Sequence, residues 1–149
     1  MQFKEKVFAT CLQLLDTKIQ ALQNTLQELA EGAISDGKSS AGDKHETARA
    51  MMQLEQEKIS KQLDEVLAQK IILEKIDCAV KSTQIVKGSL IKTNKGYLFL
   101  SVALGKINID GIDIIVLSPQ SPLGSKLLGL SIKSKVEINA TAYLVEEII

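Results

Sequence analysis

Two hydrophobic periods divide the chain. From Phe8 onward, apolar residues recur in alternating steps of four and three: Phe8, Leu12, Leu15, Ile19, Leu22, Leu26, Leu29 and Ala33. That spacing is a heptad seam and predicts a supercoiled helix rather than one wrapped on a globular core. Gly32, then Ser35-Asp36-Gly37-Lys38-Ser39-Ser40-Ala41-Gly42, breaks the pattern with small, turn-forming residues. A second helix opens at about Asp43. Its seam is less regular: Ala48, Met52, Ile59, Leu63, Val66 and Leu73, with Gln and Lys at other inward positions. A short loop between two long helices makes them antiparallel neighbours. Continued to Asp77, the second helix is on the order of 50 Å long. Residues 1–77 therefore predict an antiparallel coiled-coil finger with its tip at about residues 35–46.

Beyond residue 77 the pattern becomes short apolar runs separated by turn signals. Ile85–Thr93 leads into Asn94-Lys95-Gly96, a hairpin-type turn. Tyr97–Leu104, Ile107–Asp110 and Ile112–Leu117 follow, and Ser118-Pro119-Gln120-Ser121-Pro122 then interrupts the sheet. Leu123–Leu128 predicts a short helix, with Ser121 as N-cap, Pro122 at its first position and Gly129 at its end. Leu123, Leu127 and Leu128 are its expected core residues. Lys135–Glu146 supplies one or two more strands. The whole reads as α+β, with residues 78–149 forming a small antiparallel sheet domain carrying one short helix.

Composition sharpens this division. The 149 residues carry 18 Lys+Arg and 18 Asp+Glu, a net charge of zero. Residues 1–77 hold 10 basic and 13 acidic residues, and residues 78–149 hold 8 and 5, so neutrality is a cancellation of −3 against +3. Zero net charge argues against a protein that grips duplex nucleic acid by its phosphates. Only five aromatic residues are present (Phe3, Phe8, Tyr97, Phe99 and Tyr143), too few for stacking platforms on single strands. No independent DNA binding is expected. The two cysteines, Cys11 and Cys78, form no ligand cluster or dense framework, which favours a reducing compartment. With the turn near residue 39, Cys11 lies opposite a residue in the upper sixties, and Cys78 is beyond disulfide reach. No apolar run approaches a membrane span, and no signal segment follows Met1. The expectation is a cytoplasmic monomer without a membrane partner.

Two local motifs add a resemblance that covers nearly the whole chain. Gly42-Asp43-Lys44-His45-Glu46-Thr47-Ala48 resembles the Gly-Asp-Leu-Ser-Glu-Asn-Ala motif of the bacterial Gre transcript-cleavage factors. Ser118-Pro119-Gln120-Ser121-Pro122-Leu123-Gly124-Ser125-Lys126-Leu127-Leu128-Gly129 is similar to the Ser-Pro-(aliphatic)-Gly-x-x-Leu-Leu-Gly stretch of their C-terminal domain. The resemblance implies an FKBP-like second domain that docks on RNA polymerase and a coiled-coil finger that enters its secondary channel. It implies an elongation factor rather than an enzyme, since the polymerase cleaves its own backtracked RNA. Asp43 and Glu46 match the acids that help hold the second catalytic Mg²⁺ within the polymerase and position a water. The docking loop maps onto Ser121, Pro122, Leu123 and Gly124.

The same residues admit plainer roles. Asp43-x-x-Glu46 has the spacing of a capping box. Two carboxylates at an exposed helix end supply too few oxygens to retain Mg²⁺ alone, so no cofactor is expected on the isolated protein. Lys38, Lys44 and Arg49 could meet RNA phosphates within the polymerase, or be ordinary surface charges. His45, the only histidine, is either a proton carrier or a solvated helix-start residue. Lys44-His45 stand where the family has Leu-Ser, and Thr47, Arg49 and Ala50 replace its Asn and Glu-Tyr. The added basic charge weakens cation retention, which motivates two alternatives: a non-catalytic channel regulator, and a coiled-coil adaptor for a different protein. The family's usual Gly-Asp turn beyond the second motif is here Lys133-Ser134.

Overall fold

The computed structural model describes the backbone of residues 2–36 and 42–149, and the side chains of residues 2–32 and 46–149. Its element order is α1 (Phe3–Asp36), α2 (Gly42–Glu74), β1 (Leu90–Thr93), β2 (Gly96–Leu100), β3 (Gly105–Ile109), β4 (Ile112–Leu117), α3 (Pro122–Leu127), β5 (Lys135–Ile138) and β6 (Thr141–Ile148). The fold is α+β: two N-terminal helices precede a six-stranded sheet. The chain forms two compact units, Gln13–Lys70 and a second unit made of Met1–Leu12 with Ile71–Ile149.

The helical unit, residues 13–70, pairs α1 and α2 in the antiparallel sense. Lys70 Nζ lies 2.7 Å from Asp16 Oδ1, and Gly32 faces the end of Met52. Along α2 the less exposed positions Met52, Gln56, Ile59, Leu63, Val66 and Lys70 recur in steps of four and three. Gln56 and Lys70 are the polar members of this seam, and the Asp16 carboxylate offsets the burden of half-burying Lys70.

Two expectations about this region are corrected. Gly32 does not break α1, which runs on to Asp36; its missing side chain instead admits the Met52 methyl, which a Cβ would meet at 2.8 Å. The register also differs, because the helices are offset relative to a symmetric turn at residue 39. Asp16 opposite Lys70 places the residues facing Cys11 in the middle seventies rather than the upper sixties. Cys78 is accordingly close enough to Cys11 for its charge to be felt at the Cys11 thiol. Both cysteines are free thiols.

In the second unit, the sheet order is β3-β4-β2-β1-β6-β5. The sheet is mixed, not purely antiparallel as expected: β2 and β4 are parallel, with Leu98 beside Ile115 and Leu100 beside Leu117. The chain leaves β2 through residues 101–104, skips one strand position to build β3, and returns through the Asp110-Gly111 turn to place β4 between them. Both turn residues have positive φ, 52° and 83°, as a two-residue hairpin of the right twist needs. β1 is shorter than the Ile85–Thr93 run suggested. Gly88, at φ +97°, turns the chain there, and its N–H donates to the Leu100 carbonyl at 2.7 Å.

Cross-strand partners share a face, so the register sorts the core into two layers. Ile91, Leu98, Leu100, Leu117, Val136, Val145 and Ile148 form one cluster with Ile85 and with Leu127 of α3. Leu90, Phe99, Ile114 and Val116 occupy the opposite face and are equally buried. Over that face lie the first turns of α1: the Phe3 ring packs 5.1 Å from Tyr97, and Lys6 Nζ reaches Asp110 at 3.4 Å. Val7 and Cys11 are the fully buried α1 residues of this unit, while Phe8 and Leu12 of the expected seam are partly exposed. A sheet wants a broad apolar face against it, so here the burial follows i, i+4 steps instead of the heptad.

Among the described residues, no helix is long and apolar enough to cross a membrane.

Candidate functional site

The first motif opens α2. With the helix beginning at Gly42, Asp43 is its second residue and Glu46 its fifth, three residues apart and on one side. Acidic groups there are favoured by the positive end of the helix dipole. Glu46, Thr47 and Arg49 are exposed. The side chains of Asp43, Lys44 and His45, and hence the capping bonds of Asp43, lie outside the described residues, as does Lys38 altogether. Two carboxylates are too few to complete a Mg²⁺ shell, since the ion takes about six oxygens. Among the described residues, no group of three His, Cys, Asp or Glu side chains is assembled to hold a metal.

The second motif is fully described, and its residues are bound to one another. Ser121 caps α3: its Oγ accepts from the Gly124 N–H at 3.0 Å and donates to the Ser118 carbonyl at 2.6 Å. Pro122 takes the first helical position, where its missing N–H costs nothing. Gly124 is buried at the crossing of this turn, and a Cβ there would overlap the Ser118 carbonyl oxygen. Gly129 ends the helix at φ +83°, and its N–H donates to Ile85 at 2.8 Å. Leu127 is fully buried and Leu123 packs against the same core, but Leu128 is 43% exposed. Leu128 follows the buried Leu127 by about 100° around the helix, which takes its side chain off the core-facing side. Of the four residues assigned to a docking loop, only Pro122 is exposed; Ser121 and Leu123 are half-buried and Gly124 is buried. A partner at this loop would touch Pro122 together with Gln120, Ser125, Lys126 and Leu128.

Just beyond lies the turn Ser131-Ile132-Lys133-Ser134. Lys133 adopts φ +76°, the conformation that a glycine adopts freely. Its N–H donates to Val145 at 2.7 Å, and Ser134 Oγ accepts from Ser131 N–H at 3.3 Å. The turn therefore takes the left-handed shape without the glycine, at a cost of about 1–2 kcal/mol.

Two features escaped the sequence reading. Lys4 is 5% exposed, and its Nζ donates to the Val80 carbonyl at 3.0 Å, tying α1 to the 77–81 connector. Burial lowers its pKa, although Cys78 and Asp77 oppose the shift. A Lys three residues from the N-terminus carries no sequence signal of burial. The other feature is a groove beside Ile132, lined also by Lys81, Ser82, Thr83, Ser131 and Ile148. It forms because Gln84 bridges to Ser131 across some 47 residues of chain, a pairing that local sequence does not encode.

No protein-family model matches the chain, and no curated protein is significantly similar to it.

Proposed function

We propose that this chain is a Gre-type transcription elongation factor that binds RNA polymerase through the secondary channel and stimulates cleavage of backtracked RNA. In this reading residues 1–77 act as a coiled-coil finger and residues 78–149 as an FKBP-like docking domain. The observation that carries it is one arrangement. Two long antiparallel helices, the second opening with the Gly-Asp-x-x-Glu segment, are followed by a sheet unit whose Ser-Pro-x-x-Pro-x-Gly turn needs its glycine. Asp43 and Glu46 would complete the shell of a Mg²⁺ already held by the polymerase, which supplies charge stabilisation for phosphodiester hydrolysis. Their three-residue spacing on α2 would let both carboxylates face one point. Lys38, Lys44 and Arg49 would face the RNA phosphates.

The test is a stalled, backtracked elongation complex to which the protein is added. Release of short 3′ RNA fragments is expected, and it should be abolished by Asp43→Ala with Glu46→Ala. Equal cleavage by wild type and the double variant would remove the acids from the mechanism. The exposed Arg49 beside Glu46 favours a second reading, a non-catalytic regulator of the same channel. It predicts polymerase binding and altered initiation or pausing with no RNA release.

A further inference from the structure

We propose that the groove beside Ile132 receives the α2 shank of a second copy of this chain, giving a weak, salt-sensitive self-association. The groove has a volume of about 570 Å³. Ile132 is 50% exposed at its wall, and Val80, next to the lining Lys81, is 56% exposed. Lys81 lines the groove, Lys133 follows the lining Ile132 in sequence, and both lysines are exposed. Lys133 holds its position in a left-handed backbone conformation that glycine would adopt without strain.

The matching surface lies on the helical unit. Met51 and Leu54 are 65% and 66% exposed, one turn apart on α2. Glu55 and Glu57 flank Leu54 and are exposed. A helix surface that offers this apolar pair beside the carboxylates of Glu55 and Glu57, with Lys58 one turn from Leu54, fits an apolar groove beside Lys81 and Lys133. The charge division of the chain, −3 over residues 1–77 and +3 over residues 78–149, acts in the same direction between copies and not within like halves. Stable interfaces bury roughly 1,200 Å² or more, and this contact rests on one groove and two apolar side chains, so it is proposed as transient. It is heterologous, joining different surfaces of the two copies. Nothing in it depends on the polymerase reading.

Sedimentation velocity on the full chain over a concentration series tests the proposal. Self-association is expected at low salt and should weaken about tenfold or more at high salt, as screening shortens the reach of the charges. Lys81→Glu with Lys133→Glu should sediment as a monomer, and so should Glu55→Lys with Glu57→Lys. An equimolar mixture of the two variants should associate again, because each supplies the charge the other now lacks. All four positions are exposed, and circular dichroism checks that both variants remain folded. A wild type that stays monomeric throughout overturns the proposal. So do variants that associate as tightly as wild type, or a mixture that fails to recover.

Discussion

The helical and sheet units use glycine in opposite ways. In the helical unit, Gly32 leaves room for the terminal methyl of Met52, the free end of a side chain with three rotatable bonds. In the sheet unit, Gly124 leaves room for the Ser118 backbone carbonyl, which is itself held by the Ser121 hydroxyl. The first neighbour can move and the second cannot. A seam of side chains tolerates change because rotamers absorb it; a turn made of backbone hydrogen bonds has no such slack. The sheet unit should therefore carry the steeper mutational penalties.

The sharpest test is Gly124→Ala, which forces a methyl into a carbonyl and should cost on the order of 3 kcal/mol or more in urea unfolding. Gly88→Ala comes next. It combines φ +97° with a Cβ only 2.8 Å from Ile76 Cγ2, a side-chain neighbour that can partly yield, so a loss of about 1–3 kcal/mol is expected. Gly32→Ala should lie at the other end, neutral or stabilising by up to about 1 kcal/mol, since the helix gains propensity while Met52 shifts aside. If Gly32→Ala proved as damaging as Gly88→Ala, the contrast between the two units would collapse.

Acid–base behaviour sharpens the contrast from another side. Burial in the sheet unit pushes the Cys11 thiol up to about 12, with Cys78 adding to the effect. A folded pKa raised above the unfolded value near 9 means that the unfolded chain loses its proton first as pH rises. Stability from this group is then complete below about pH 9 and is lost progressively toward pH 12. Lys4, whose pKa burial lowers, acts in the opposite sense as it deprotonates below its ordinary value. Urea midpoints of wild type and Cys11→Val at pH 8 and about pH 10.5 separate the two. The wild type should lose stability relative to the variant at the higher pH. The smallest expected effect is in the helical unit, where the Asp16–Lys70 pair is half-exposed. A double-mutant cycle there should give a coupling of no more than about 1 kcal/mol.

What could be read from the residues follows the range of the interactions involved. The α3 cap was legible in Ser121, Pro122 and Gly129 because capping is decided within one turn. The α2 seam was legible with its polar members. The parallel β2–β4 pair was not, because inserting β4 beside β2 is a choice among distant partners that short apolar runs leave open. The burial of Cys11 in place of Leu12 was missed for a related reason. Period alone cannot tell whether a helix faces another helix or a sheet, and α1 does both along its length. At the candidate site, sequence placed Asp43 and Glu46 in one turn but assigned docking to Ser121 and Gly124, which hydrogen bonding and close approach occupy internally.

The sheet unit is sewn from both ends of the chain. The first turns of α1 cover one face of a sheet whose strand β6, ending at Ile148, lies between β1 and β5. During synthesis, then, the first turns of α1 must wait until residues 90–116 have been made before their partners exist. Contacts of such long sequence separation, 104 residues for Lys6 and Asp110, close late and slow assembly. The helical unit, whose partners are nearer neighbours, is free to form first and to hold the two distant ends of the sheet unit in reach of each other.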